Sequence, residues 1–301
     1  MVEHPPPRAV RLPAGHLDGD DLLTGTDDNS LNNVLAAQAA GVSVREWVDR
    51  HADAIEALRV RWRCRTTTSS APAATRGTRS GWSGCGAPAP PPGMRIEPAQ
   101  RRNEVLALID AGLRDFSVSR SRARARGWGI GVPDDPDQVI YVWFDALGNY
   151  VTSLDYGTGG PAYRHWWEGS DRRVHLLGKG VVRFHAVYWP AILLSAGLPL
   201  PTDLLVHDYL MIDGQKISKS SGGGADPVAL VDRFGTDAVR WWLLREVPRV
   251  GDTDVTVARL VERANADLAG GFGNVVNRVV TMVHRYRYGR VPPPRWTRAP
   301  R

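Results

Sequence analysis

The sequence predicts an α/β protein: a parallel sheet covered by helices, followed by a helical module. Short β-rich runs at 138–144, 174–178 and 203–212 alternate with segments of helical periodicity. The first of these, QVIYVWF, is apolar throughout, as expected of a strand buried on both faces. After residue 226 every periodic segment is helical. In parallel sheets of this kind ligands gather at the carboxyl ends of the strands.

Residues 1–20 are polar and proline-rich and predict no clear element. Between 31 and 60 apolar residues recur at helical spacing, with a break expected at Gly41. The stretch 61–94 has almost no large aliphatic residue and no period, and reads as loop or disorder rather than a packed element. Order returns with a short amphipathic helix from Glu104 to Leu113. Residues 146–154 predict a helix, VHLLG (174–178) a strand, and Val181 to Ala196 a long apolar helix with Pro190 inside it. DLLVHDYLMI (203–212) is strand-like and runs into the turn Asp213-Gly214. Helices follow over 227–234 and 236–247, then a helical stretch from Val255 to Arg287 interrupted near Gly270-Gly271.

A length of 301 residues suits two domains, and 43% hydrophobic with 23% charged residues excludes a wholly disordered chain. No run reaches the roughly 20 apolar residues of a membrane helix. No apolar core follows a basic start, so no secretory leader is expected and the cytoplasm is the default compartment. Two cysteines, Cys64 and Cys85, are too few and too far apart for a zinc framework. The net charge of +6 hints weakly at a polyanionic partner.

The basic residues are unevenly chosen. Lys179, Lys216 and Lys219 are the three lysines among 38 basic residues, and they fall close together. A lysine is a compact point cation that the arginine fork does not replace. Two of them flank Ile217-Ser218 in Lys216-Ile217-Ser218-Lys219-Ser220, just after Asp213-Gly214 and just before Ser221-Gly222-Gly223-Gly224. Two ammonium groups three residues apart on a polar loop, with hydroxyls between them, suit a phosphate chain.

KISKS resembles the KMSKS loop of class I aminoacyl-tRNA synthetases. Five longer blocks resemble the methionyl-tRNA synthetase family, in that family's order: 24–50, 139–156, 175–201, 226–248 and 265–278. The resemblance covers roughly residues 22–60 and 95–292. It implies an incomplete Rossmann-like catalytic domain followed by the start of an anticodon-binding helix bundle. The chain is then expected to divide into a partial N-terminal half (1–60), the low-complexity insert (61–94), a second catalytic half carrying the KISKS loop (95–225) and a helical stem-contact region (226–301).

The resemblance also implies roles. Asp27 would hold the α-amino group of methionine. Trp143, Ala146, Tyr150, Val181 and His185 would enclose the methionine side chain. Val181 and His185 are one helical turn apart, so one pocket wall can carry both. Arg120, Lys216 and Lys219 would serve catalysis at the phosphates of magnesium-bound ATP, with Lys179 and Ser218 among the ATP contacts. Asn274 and Arg278 would read the anticodon of tRNA(Met).

The chain also departs from the family. No HIGH-type motif precedes Thr24: Gly15-His16-Leu17 is only superficially similar, so the first strand–helix unit is expected to be missing. The zinc-knuckle insertion is replaced by 61–94, for which a frame-shifted segment followed by a deletion is the simplest account. The family's Gly-Lys-Asp becomes Gly178-Lys179-Gly180. An apolar helix face near the C-terminal end is expected to lie uncovered.

Overall fold

The computed structural model describes residues 8–13, 21–25, 30–61, 67–70, 93–114, 116–212, 215–216 and 226–291. These fall into two compact units. The first runs to Tyr209 and includes Arg249–Gly251, and the second takes Leu210–Pro248 and the residues after Gly251. The division therefore comes after Tyr209, earlier than the expected boundary at 225, because strands just beyond Tyr209 pair within the second unit.

In the first unit, β1 (Arg8–Pro13), β2 (Asp21–Gly25) and β3 (Thr67–Ser70) form an antiparallel sheet in the order β2-β1-β3. Two expectations need correction here. Residues 8–13 are a strand, and the stretch 61–94 contributes one at Thr67–Ser70, paired with Arg8–Arg11. A β-branched Thr-Thr pair meets an alternating partner, and mutual backbone pairing supplies what periodicity did not signal. The rest of 62–92 lies outside the described residues.

Helices α1 (Leu31–Ala40) and α2 (Val44–Arg61) follow. Ser30 caps the first by accepting from the Asn32 amide at 3.2 Å, and Gly41 ends it with φ 67°. Val34, Ala37, Val48 and Ala52 are buried between and around them.

A second sheet is parallel, in the order β4 (Arg95–Glu97), β9 (Asp203–His207), β8 (Val174–Gly178). Helix α3 (Ala99–Asp110) begins earlier than its periodicity suggested. Ile96, Val105, Leu177, Val182, Ala186, Val187, Leu204 and Val206 form the core around this sheet. Charge pairs join segments far apart in sequence. Asp203 accepts from Arg95 Nε at 2.6 Å and Arg172 Nε at 3.2 Å, and buried Asp208 accepts from Arg101 Nη2 at 2.5 Å. Burial pushes the Asp203 carboxyl up, but hydrogen bonds from Thr202, Arg95 and Arg172 outweigh it and hold it below its ordinary value.

The 138–144 run divides differently from its sequence reading. β5 (Ser119–Ser121), β6 (Gly131–Val132) and β7 (Asp135–Ile140) form an antiparallel sheet in the order β5-β7-β6. β7 ends at Ile140, and α4 (Val142–Thr152) starts two residues later. β7 is buried at Val139 but exposed at Pro136 and Asp137, so it is not a strand covered on both faces. The apolar residues from Val142 onward belong to the helix, whose first turn carries Asp145, a favourable charge at a helix N-terminus.

A short helix, α5 (Pro161–Tyr163), leads into a π turn at Arg164–Glu168. The predicted helix from Val181 is three segments in series: a 3-10 turn at Lys179–Val181, a π turn at Phe184–Tyr188, and α6 (Trp189–Ser195). Pro190 lacks an N–H, and its ring crowds the carbonyl four residues back. The widened turn just before it is where that misfit is absorbed. A second core of Leu147, Val151, Leu154, Tyr163, Trp167, Phe184, Trp189 and Leu193 packs α4 against this helical run.

In the second unit β10 (Leu210–Ile212) pairs antiparallel with β11 (Gln215–Lys216) and parallel with β12 (Thr253–Asp254). The run 203–212 is thus two strands, β9 and β10, in two sheets. The turn Asp213-Gly214 lies outside the described residues. Helices α7 (Pro227–Phe234) and α8 (Thr236–Glu246) match the sequence reading closely. Asp226 caps α7, with Pro227 at its first position.

The final stretch is α9 (Val257–Arg263), a π turn at Ala264–Gly273 and α10 (Asn274–Arg287). Gly270, Gly271 and Gly273 lie inside the π turn, which replaces the expected break. On α10, Val275, Val279, Met282 and Tyr286 recur at helical spacing and are each more than half exposed. These residues form an exposed apolar stripe among the described residues.

Candidate active site

The site grows from the end of β8. At the carboxyl end of this strand the chain turns through Gly178 into the Lys179–Val181 helical turn. Helix α4 lies opposite. Its residues 143, 146 and 150 fall on one helical stripe, at i, i+3 and i+7, beside buried Leu147 and Val151. Together these elements wall an open pocket of about 260 Å³ lined by Trp143, Ala146, Leu147, Tyr150, Leu176, Leu177, Gly178, Val181 and His185. Small-molecule sites generally run to about 300–1,000 Å³.

All five residues expected to enclose the methionine side chain line this one pocket. Trp143 stacks on Phe184, with ring centroids 4.2 Å apart and planes 10° from parallel. The Tyr150 hydroxyl lies 2.8 Å from His185 Nε2, and His185 Nδ1 lies 3.0 Å from the Val181 carbonyl. A carbonyl only accepts, so Nδ1 carries the proton and Nε2 accepts from Tyr150. Burial lowers the His185 pKa and pushes the Tyr150 phenol up to about 12, so both groups are neutral at ordinary pH.

Four lining residues escaped sequence reasoning: Leu147, Leu176, Leu177 and Gly178. The last three were legible as the carboxyl end of a predicted strand, the place where such sheets bind ligands. His175 was missed as well. Its ring lies 4.1 Å from Tyr150, and its Nε2 accepts from Trp189 Nε1 at 3.1 Å. Burial, reinforced by His185 nearby, lowers its pKa to about 3. It packs as an uncharged group between Tyr150 of the pocket wall and buried Trp189.

Arg120 is not part of the pocket lining. Its guanidinium lies 3.9 Å from the centre of the Tyr141 ring and donates to the carbonyls of Ser117 at 2.9 Å and Ser119 at 2.8 Å. Lys179 sits on the turn that leaves the pocket, with Nζ 4.8 Å from the centre of the Tyr209 ring. Lys216 ends β11, its backbone opposite Met211. Asp27, Ser218 and Lys219 lie outside the described residues. In the second unit Asn274 Nδ2 donates to the Gly270 carbonyl at 2.6 Å, and Arg278 is exposed one turn on. Among the described residues no three His, Cys, Asp or Glu side chains gather as a metal site, and no helix is long and apolar enough to cross a membrane.

A parallel sheet with an aromatic-walled pocket at its strand end, joined to a helical unit, is the architecture of a class I aminoacyl-tRNA synthetase catalytic region. Residues 93–280 match the family described as tRNA synthetases class I (M), and the chain belongs to that family. It is 44% identical over 199 residues to a methionine–tRNA ligase of Thermotoga maritima, covering 66% of this chain and 31% of that protein. It is 48% identical over 200 residues to one of Caldanaerobacter subterraneus, covering 66% of this chain and 30% of that protein. The chain spans about a third of the length of the curated relatives it matches. Among solved structures, Mycobacterium tuberculosis methionyl-tRNA synthetase in complex with methionyl-adenylate superposes with a TM-score of 0.74 at 30% identity, covering 90% of this chain and 65% of that one.

Proposed function

We propose that this chain takes part in the ATP-dependent activation of methionine and its transfer to tRNA(Met). The observation that carries the reading is the convergence of Trp143, Ala146, Tyr150, Val181 and His185 on one pocket. The pocket presents aromatic faces, aliphatic walls and two neutral polar groups. Such a surface accepts an uncharged, unbranched side chain and favours a polarizable sulfur beside aromatic rings.

In the first step a carboxylate oxygen of methionine attacks the α-phosphorus of magnesium-bound ATP, and pyrophosphate leaves. In the second the acyl group passes to the terminal ribose of the tRNA, and AMP leaves. Neither step needs a protein nucleophile, so catalysis is positioning plus stabilisation of phosphate charge. We assign Asp27 to the α-amino group, and Lys179, Lys216, Ser218 and Lys219 to ATP. Arg120, Lys216 and Lys219 are assigned to the charge that develops on the leaving phosphates. Asn274 and Arg278 are assigned to tRNA, and the compartment of action is the cytoplasm.

Methionine-dependent exchange of pyrophosphate into ATP tests the reading. Exchange that Lys219→Ala abolishes supports it. Saturable methionine binding with no exchange favours a non-catalytic relative that retains the amino-acid pocket. Absence of methionine binding overturns both.

A further inference from the structure

His175 is buried in β8 and is not part of the pocket lining. The strand alternates, with His175 and Leu177 buried and Val174 and Leu176 exposed. An aliphatic side chain would fill a buried position at no polar cost, so an imidazole there needs partners. Trp189 Nε1 donates to its Nε2 at 3.1 Å. Its ring centre lies 4.1 Å from that of Tyr150, 6.0 Å from Trp167 and 6.0 Å from His185. An indole N–H only donates, so Nε2 keeps a lone pair and the ring proton sits on Nδ1. Of these partners Tyr150 and His185 line the pocket. The Tyr150 ring also meets His185 at 5.7 Å and Trp189 at 5.8 Å, so His175 is the closest of these three supports. The links run in series. Trp189 sets the turn of the imidazole, the imidazole backs the Tyr150 ring, and the Tyr150 hydroxyl meets His185 Nε2 at 2.8 Å.

We infer that His175 is a positioning residue for the amino-acid pocket: its ring, turned by Trp189, sets Tyr150 so that the phenol meets His185. A phenol pivots about its side-chain torsions, and the bond to His185 fixes only its tip. A ring against its flank fixes the rest. This deepens the proposed function and rests on its reading of the pocket as a methionine site.

Two substitutions separate the ring contact from the hydrogen bond. His175→Phe keeps a ring beside Tyr150 but leaves the buried Trp189 N–H without its acceptor. His175→Gln keeps an acceptor for Trp189 but offers Tyr150 no ring. The expected order is opposite for stability and for binding. His175→Phe should have the lower thermal midpoint, yet bind methionine within about twofold of the unsubstituted chain. His175→Gln should bind methionine roughly three- to tenfold more weakly. A residue that only holds the core together would lose affinity in step with stability, so the same order in both measurements overturns the inference. In a Tyr150→Phe chain, adding His175→Gln should cost less than about twofold in affinity, because no hydroxyl remains to misdirect. An undiminished loss there overturns it as well, and this cycle carries the test if His175→Phe does not fold. Nitrogen-15 spectra of the histidine-labelled full chain read the same link without ligand. The His185 Nε2 signal, assigned by its loss in His185→Asn, should move downfield in His175→Gln as its accepted hydrogen bond weakens. A signal indifferent to His175→Gln overturns the inference. If the signal moves but the unsubstituted chain binds no methionine, the positioning by His175 stands and the methionine reading of the pocket falls.

Discussion

The Tyr150 hydroxyl donates a hydrogen bond to His185 Nε2 at 2.8 Å, and His185 Nδ1–H donates to the Val181 carbonyl at 3.0 Å. The bond joins α4 to the helical run after β8, the two elements that wall the pocket. It also decides the tautomer, because the backbone carbonyl leaves Nε2 as the accepting nitrogen. The pocket thus has a polar edge whose donors and acceptors are already matched, and neither group is charged.

Tyr150→Phe removes the donor and leaves a buried imidazole nitrogen with nothing to accept from. Such a loss costs about 1–1.5 kcal/mol. Methionine affinity should fall by about tenfold, with overall folding retained. Isothermal titration with methionine checks this. An unchanged affinity would show that the pair serves packing alone.

Two histidines are held neutral by burial. His175 has its pKa lowered to about 3 from 6.5, and His185 is lowered from the same value. Below about pH 6.5 the unfolded chain takes up protons that the folded chain refuses. The His175 contribution should therefore be complete above pH 6.5 and decline as pH falls toward 3, by up to about 1.4 kcal/mol per pH unit, and His185 acts in the same direction. Urea unfolding at pH 7 and pH 5 measures the slope. His175→Asn should flatten it, because asparagine has nothing to titrate.

Elements governed by local periodicity were legible in the sequence. Helices α7 and α8 begin and end near their predicted bounds, since Asp226-Pro227 and Gly235 punctuate them locally. β8 was read correctly from VHLLG. The pocket set was legible through the family resemblance, not through periodicity. What escaped depends on partners distant in sequence. The pairing of Thr67–Ser70 with Arg8–Arg11, and the bond between Arg101 and Asp208, have no local signature. The run at 138–144 misled because unbroken apolar residues suit a buried strand and a buried helix alike.

Ala146 offers a way to close the pocket without disturbing its polar edge. Its methyl lies on the pocket stripe of α4 and is only partly buried. A leucine there projects into open space, so the cost in folding should stay below about 1.5 kcal/mol. Ala146→Leu is expected to lose methionine binding while retaining a near-normal thermal midpoint. Paired calorimetric titration and thermal melts test the two halves. Binding that survives would place the ligand elsewhere.

Asn274 and Arg278 occupy one face of α10, yet their surroundings predict different failures. The Asn274 amide donates to the Gly270 carbonyl at 2.6 Å, inside the π turn where the helical ladder is irregular. Its removal frees a backbone acceptor, so Asn274→Ala should lower stability by about 1 kcal/mol whether or not RNA is present. Arg278 is exposed, and its loss should leave stability within about 0.5 kcal/mol of the unsubstituted chain. If Arg278 meets a phosphate of tRNA, Arg278→Ala should weaken binding at all sequences alike and reduce the salt slope by about 1. If it reads a base, the slope should hold while discrimination between anticodons falls. Filter binding across a salt series, with tRNA(Met) and an anticodon-swapped tRNA, separates these outcomes. An Arg278→Ala chain that binds both RNAs unchanged would remove Arg278 from the interface altogether.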